Sequence, residues 1–332
     1  MNLVLLGDLA PAEQAVQAEE AEEAEQVAWA DALNAALATV LPAHRLMLGR
    51  DAPGADQAEV AIVANPPPGS LAGLPRLRLI QSLWAGVDRL LADATVPAEV
   101  PLARMVDPAI NAAMAETALW AVLSLHRGFF SYARQQQAGQ WAQLPQSRVD
   151  AWPVLVLGFG QMGQAVAQRL AQLGYPVSAW RRRDDGASNV VDSPIRLVHG
   201  QDALMPALAQ ARIAINLLPL TPATRGLFNA ERLAALPRGA AFVNLARGAH
   251  LVEADLLAAL DSGALSHAVL DVFQTEPLPA AHRFWRHPSV TLLPHAAALT
   301  DPASAARVVA ANVAALASGR PLRHLVRREA QY

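Results

Sequence analysis

The sequence predicts an α/β protein made of two doubly wound parallel-sheet domains with a cleft between them. Three observations carry that reading. Short apolar runs alternate with helix-compatible segments, a strand, glycine turn, helix and strand follow one another near the middle, and 332 residues suit two domains better than one. Hydrophobic residues make up 53% of the chain against 17% charged, ample apolar material to offset the entropy of ordering two cores.

Residues 2–6 (NLVLL) form an apolar run ended by Gly7-Asp8, as a buried parallel strand would. The Ala-, Glu- and Gln-rich segment up to about residue 40 follows as a helix, and its acidic stretch at 18–25 reads as a solvated face. Apolar runs at 59–64 and 77–83, separated by NPPPGS, continue the alternation, so the first hundred residues form a small α/β lobe. A helical stretch from about Asp107 to Ala138 serves as connector, with Met114, Leu119, Val122 and Leu123 on one apolar side. A second domain then opens with AWPVLVLGFGQMGQAVAQRLAQLGYPVSAW, a complete βαβ beginning. Strand candidates at 213–218, 240–245, 268–272 and 290–293 continue it, with a crossover helix at 252–260. The last helix, about 303–317, has no strand partners of its own and is expected to return to the first lobe. The expected division is therefore 1–104 plus 295–332 as a discontinuous domain, and 105–294 as the other.

Composition removes several chemistries. All 26 basic residues are Arg, and both Cys and Lys are absent. That excludes thiol nucleophiles, disulfides, thiolate zinc sites, a Schiff base to pyridoxal phosphate and a complete G-x-x-x-x-G-K-[ST] phosphate loop. Chemistry must rest on His, Arg and carboxylates. With 29 acidic residues the net charge is −3, which offers no basic field for nucleic acid, so small-molecule partners are expected. The first residues lack a basic n-region, and no run of about 18 apolar residues occurs, so no membrane partner and a cytoplasmic location are expected. His282 and His287 sit five apart in a Pro-containing loop and read as surface residues, and no metal site is expected.

The strongest local signal is Gly158-Phe159-Gly160-Gln161-Met162-Gly163, a G-x-G-x-x-G sequence with a strand before it and an amphipathic helix after it. Gly158 would make the tight turn, Gly160 would let the backbone approach a pyrophosphate, and Gly163 would allow close helix–strand packing. The anion would sit at the helix N-terminus, as in the Rossmann dinucleotide site. Where an NAD enzyme usually places an acidic residue for the ribose hydroxyls, this chain has Arg181-Arg182-Arg183. A guanidinium offers a 2′-phosphate paired donors and positive charge, so NADPH (NADP) is the preferred cofactor, with NADH possible. A solvated charged turn is the alternative, and Asp184 and Asp185 can neutralise the Arg run if the turn is shifted.

A second constellation is spread over the C-terminal half: Asn244-Leu-Ala-Arg247-Gly, then Asp271 to Glu276, then Pro294-His295. Each follows a strand candidate. In an open parallel sheet the carboxyl ends of the strands converge on the ligand crevice, so Arg247, Glu276 and His295 can meet there as an anion clamp and an acid/base pair. A surface Arg–Glu pair with an unrelated His is the alternative.

At these residues the sequence resembles the D-isomer-specific 2-hydroxyacid dehydrogenase family. The motifs that carry the likeness are QSLWAGVD at 81–88, GFGQMG at 158–163, INLLPLTPATRG at 215–226, FVNLARGAHLVEADLLAAL at 242–260, LDVFQTEPLP at 270–279 and LLPHAAALT at 292–300. The resemblance implies a substrate domain formed from both termini, a central cofactor domain and usually a homodimer. It implies reduction of a small 2-oxo acid, with glyoxylate and hydroxypyruvate the leading substrates. Arg247 would bind the substrate carboxylate and 2-oxo group, His295 would be the acid/base and Glu276 its partner. Such a carboxylate favours the charged imidazole, which then protonates the carbonyl oxygen. Asp271 would orient the nicotinamide carboxamide, Leu218, Pro219 and Thr224 would line the adenosine side, and Ala246 belongs to the same cofactor set. Trp84, Ala85, Gly86 and Val87 match the substrate loop, with Gly86 and Val87 as backbone donors. Trp84 either caps the pocket or packs in the core. Trp141 is expected in ordinary packing, the alternative being a reach to a partner subunit's pocket. A bulkier 2-oxo acid, or a non-catalytic dinucleotide-sensing role on the same scaffold, are the competing functions. Formate dehydrogenase is disfavoured, because its relatives place Gln where this chain has Glu276.

Overall fold

The structure is a computed structural model that describes residues 1–7, 9, 18–183 and 194–330. The chain runs β1 (Asn2–Gly7), α1 (Ala18–Val40), β2 (Arg45–Leu48), β3 (Val60–Ala64), β4 (Leu79–Ser82), α2 (Asp88–Ala92), β5 (Leu102–Ala103), α3 (Pro108–Arg127) and α4 (Phe129–Gln137). It continues through β6 (Val154–Leu157), α5 (Gln161–Gln172), β7 (Val177–Arg181), β8 (Ile195–His199), α6 (Leu204–Leu208) and β9 (Ile213–Asn216). The remaining elements are α7 (Ala230–Ala234), β10 (Ala240–Asn244), α8 (Glu253–Asp261), β11 (Leu265–Leu270), β12 (Val290–Leu292) and α9 (Pro302–Ala317).

Two compact units result, Met1–Ile110 with Thr300–Tyr332, and Asn111–Leu299. The first holds a five-stranded parallel sheet in the order β2-β1-β3-β4-β5. Its central strand β3 (VAIVA) is buried along its whole length, which is why it reads as a continuous apolar run with no alternation. Helix α9 belongs to this unit and packs on α1. Its start is set by Asp301, whose side chain accepts the Ser304 N–H, and by Pro302 in the first turn, where a missing N–H leaves no helical bond unmade.

The second unit holds a seven-stranded parallel sheet in the order β12-β11-β10-β9-β6-β7-β8. Strand β6 lies between β7 and β9, so successive connections leave it in opposite directions, the doubly wound arrangement that opens a crevice at the carboxyl end of β6.

The chain passes between units at Ile110/Asn111 and Leu299/Thr300 instead of at 104/105 and 294/295. His295 therefore lies in the second unit, tied to it by its N–H donating to the Asp271 carbonyl at 2.8 Å. The connector expected over 107–138 is two helices, broken at Gly128, whose φ of 72° lies in the left-handed region. A Cβ there would also stand 2.8 Å from Leu144 Cδ1. The buried face of α3 is made by Met114, Ala115, Ala118, Ala121 and Val122, while Leu119 and Leu123 are only partly covered. By length and apolarity α3 equals a membrane-crossing helix, yet Ala118, Ala121 and Val122 sit in the second unit's core.

Candidate active site

Strand β6 ends at Leu157 and turns at Gly158, whose φ of 102° suits glycine and whose Cβ would lie 2.7 Å from the Leu217 carbonyl oxygen. A Cβ on Gly163 would overlap the Gly158 carbonyl, so helix α5 approaches its strand as closely as backbone allows. Phe159 and Met162 pack partly on the core, which anchors the turn, while Gly160 and Gln161 are exposed. Gly160 has open space where a side chain would stand, and the N–H groups of Gly160, Gln161, Met162 and Gly163 have no acceptor among the described residues. An open glycine surface faced by bare amides at a helix N-terminus fits the diphosphate of a dinucleotide.

The Gly158 N–H donates to the Trp180 carbonyl at 2.9 Å, so β7 delivers Arg181, Arg182 and Arg183 directly beside the glycine turn. Arg181 and Arg182 are half-buried and Arg183 is exposed. Asp184 and Asp185 lie outside the described residues. On the other side of β6, the chain after β9 presents Pro219 exposed and Leu218 buried. The Thr224 hydroxyl donates to the Pro219 carbonyl at 2.7 Å and accepts the Thr221 N–H at 2.9 Å, so Thr224 closes this loop on itself.

The ends of β10, β11 and β12 are bonded to one another. Asp271 N–H donates to the Asn244 carbonyl at 3.0 Å, and His295 N–H to that of Asp271 at 2.8 Å. Arg247, Glu276 and His295 thereby gather at one end of one sheet. Glu276 Oε2 lies 2.8 Å from His295 Nδ1, and its Oε1 accepts the Phe273 N–H at 2.9 Å. Burial alone would raise this carboxyl, but the bonds from His295 and the Phe273 amide, with the charges of His295 and Arg247, hold it below the ordinary carboxylate range. An ionised Glu276 can only accept, so His295 Nδ1 carries the proton it donates and Nε2 is left for a reactant. The His295 side chain is half-exposed, and its φ of 55° is a left-handed conformation that a non-glycine residue adopts only when its surroundings impose it.

Asp271 supplies that constraint. It is 1% exposed, and its Oδ1 accepts the N–H groups of Ala296 at 2.7 Å and Ala297 at 3.0 Å. Burial raises its carboxyl above the ordinary value despite these amides. Arg247, half-buried, donates from Nη1 to the carbonyl of buried Ala246 at 2.7 Å. A Cβ on the following Gly248 would overlap the Phe273 carbonyl, so the Arg247 turn and the segment anchoring Glu276 are pressed together.

In the first unit, the loop after β4 is fixed by Ser82, whose hydroxyl accepts the Trp84 N–H at 3.0 Å. Trp84 is half-buried and meets fully buried Trp29 edge-on, with centroids 6.1 Å apart. The N–H groups of Ala85, Gly86 and Val87 have no acceptor among the described residues. Bare consecutive amides of this kind suit an anion.

Two expectations need correction. Trp141 is 99% exposed, so ordinary packing does not hold it. His282 and His287 are partly covered and paired, with Glu253 at 3.4 Å and Asp261 at 3.2 Å. Among the described residues no cluster of three or more His, Cys, Asp or Glu could hold a metal ion. Sequence reasoning gave no role to Asn216, Asn244 and His250, a buried polar group beneath Arg247. The signal was present: both asparagines close wholly apolar strands and pair in register.

A dinucleotide cradle at the switch point of a doubly wound sheet, sharing its edge with an imidazole poised to move a proton, defines the class: a nicotinamide-dependent oxidoreductase. The profile of the D-isomer specific 2-hydroxyacid dehydrogenase NAD binding domain matches residues 119–297. The glyoxylate/hydroxypyruvate reductase A of Serratia proteamaculans (strain 568) is 43% identical over 274 residues, covering 81% of this chain and 86% of that one. A D-isomer specific 2-hydroxyacid dehydrogenase from Xanthobacter autotrophicus Py2, solved with NADPH and MES, superposes with a TM-score of 0.87 at 36% identity, covering 100% of this chain and 99% of that one. The NADPH-dependent glyoxylate/hydroxypyruvate reductase of Sinorhizobium meliloti, solved with NADP and sulfate, gives 0.85 at 31% identity over 100% and 99%. The chain belongs to the D-isomer specific 2-hydroxyacid dehydrogenase family, whose enzymes are NAD(P)-dependent.

Proposed function

We propose that this protein reduces small 2-oxo acids with NADPH in preference to NADH, in the cytoplasm, converting glyoxylate to glycolate and hydroxypyruvate to D-glycerate. The observation that carries the reading is the 2.8 Å His295–Glu276 pair beside Arg247, on the same sheet end as the glycine cradle. The names of the Serratia and Sinorhizobium relatives support the substrates, and the Arg181–Arg183 run beside the glycine turn supports the cofactor.

When bound, NADPH supplies the hydride that reduces the carbonyl carbon. The amides of Gly160 to Gly163 hold its diphosphate, and Arg181 and Arg182 hold its 2′-phosphate. Arg247 grips the substrate carboxylate and polarises the 2-oxo group, supplying orientation and charge stabilisation together. His295 gives its Nε2 proton to the carbonyl oxygen. Glu276 keeps its charge throughout and fixes the imidazole's tautomer and angle. Asp271 holds the backbone that forces His295 into position, in addition to its expected contact with the carboxamide. In the first unit, the bare amides of Ala85, Gly86 and Val87 beside Trp84 favour a carboxylate. The exposure of three large apolar side chains, Trp141 at 99%, Phe129 at 53% and Trp120 at 40%, supports a homodimer.

Initial rates of NADPH and NADH oxidation with glyoxylate, hydroxypyruvate, pyruvate and 2-oxoisocaproate test the reading. Fast NADPH-dependent turnover of the two small polar acids is expected. Activity on bulky acids alone would replace the substrate, and no activity with any would leave only a dinucleotide-sensing role.

A further inference from the structure

Beneath Arg247, three buried polar side chains connect the two edges of the candidate site. His250 is 0% exposed, and Asn216 and Asn244 are equally buried. Two backbone amides decide how the asparagines point. Asn216 Oδ1 accepts the Leu218 N–H at 3.2 Å, so its Nδ2 faces inward; Asn244 Oδ1 accepts the Ala246 N–H at 3.3 Å, so its Nδ2 donates to the Arg247 carbonyl at 3.1 Å. Asn216 Nδ2 then gives one proton to Asn244 Oδ1 at 2.9 Å and the other to His250 Nδ1 at 3.1 Å.

His250 is thereby assigned a tautomer. Its Nε2 lies 3.2 Å from the Pro219 carbonyl, which can only accept, so Nε2 carries the proton. Nδ1 lies 3.1 Å from both the Asn216 amide and the Arg247 carbonyl. The opposite tautomer would gain the Arg247 bond but would set a lone pair against Pro219 and a proton against the Asn216 amide. One mismatch against two favours the Nε2–H form, and a buried neutral ring avoids the expense of an enclosed charge. Nε2–H thus holds the Pro219 edge, while Nδ1 accepts from Asn216, which also holds Asn244 so that the Asn244 amide donates to the Arg247 carbonyl; the His250 backbone N–H donates to that Arg247 carbonyl as well, at 3.2 Å.

We propose that His250 is a positioning residue that sets the cofactor-side loop at Pro219 and the Arg247 clamp from one buried ring, the first directly from Nε2 and the second from Nδ1 through Asn216 and Asn244. The inference rests on the reading of Arg247 as the substrate's anion clamp. It acts through Pro219 and Arg247, not through contact with reactants.

Two substitutions split the ring's functions. In His250→Asn the side chain reaches Asn216 and the Arg247 turn but not Pro219; in His250→Gln its amide reaches Pro219 without an acceptor at the Nδ1 position. His250→Asn should raise the Kd for NADPH, measured by direct fluorescence titration, roughly 5–10-fold, the loss of about one hydrogen bond, and leave the KM for glyoxylate within about twofold. His250→Gln should raise the glyoxylate KM by a similar factor at near-native NADPH affinity. A general packing defect would move both constants together in both variants, and that result, or two native variants, would overturn the proposal. In the unaltered enzyme, nitrogen NMR of His250 should report a neutral Nε2–H ring whose signals shift on adding NADPH; a charged ring or no response would overturn it even if neither variant folds. Failure of the unaltered enzyme to reduce any 2-oxo acid would remove the Arg247 reading alone, since the NADPH titrations still test His250.

Discussion

Gly248 and Phe273 meet backbone to backbone, with no room between them for even a methyl group. The consequence reaches both halves of the proton-transfer site, because Gly248 follows Arg247 and the Phe273 N–H is one of the two bonds that hold Glu276. Gly248→Ala should therefore lose more stability than the ~1–3 kcal/mol typical of over-packing, seen as a lower Tm and lost turnover. Gly160→Ala is the control. Its added methyl meets open space, so Tm should stay native while NADPH binding weakens by about tenfold. A native Gly248→Ala enzyme would show that the two segments separate freely.

His295→Ala should keep NADPH affinity near native and lose about 10²–10⁴-fold in the rate of glyoxylate reduction, the usual scale for a positioned proton donor. Cofactor titration and steady-state kinetics on one preparation separate the two effects. Near-native turnover would take His295 out of the acid role.

Replacing Arg181 and Arg182 together by Ala should raise the KM for NADPH by about ten- to a hundredfold and leave that for NADH within about threefold, because only the former carries a 2′-phosphate for a guanidinium to grip. Equal changes for both cofactors would assign the Arg run to a solvated turn.

His267 on β11 stacks on Phe130 at 4.7 Å with its Nε2 2.9 Å from Thr291 Oγ1. Burial, reinforced by the charges of Arg134 and His287, pushes this imidazole down to about 4. Between pH 6.5 and 4 the unfolded chain carries a proton here that the folded protein refuses, so stability falls as the pH drops through that window, by about 3 kcal/mol at most. His267→Gln should flatten the fall in Tm between pH 7 and pH 4.5. An unchanged slope would assign the acid sensitivity to other groups.

Much of this was legible in the sequence, for a physical reason. The glycine fingerprint, the Arg run and the Arg247, Glu276 and His295 positions all follow apolar strands at short, fixed distances, and parallel sheets place such positions together. The break at Gly128 was not legible, since α3 and α4 continue one helical pattern; in the structure a side chain at that position would run into Leu144. Strands β2, β5 and β8 are short or lie at sheet edges, where apolar periodicity fades. The domain boundary fell before His295 in sequence but after it in space, because a backbone bond to Asp271 is invisible to composition. His250 hid for a similar reason: its partners lie on other strand ends, and a buried imidazole and a surface one are spelled alike.

Helices α1 and α9 cover one another although the entire second unit is threaded between them. During synthesis, then, α1 leaves the ribosome before the helix that packs on it has been translated, while the contiguous second unit has all its strands in hand. The lobe made first is therefore completed last.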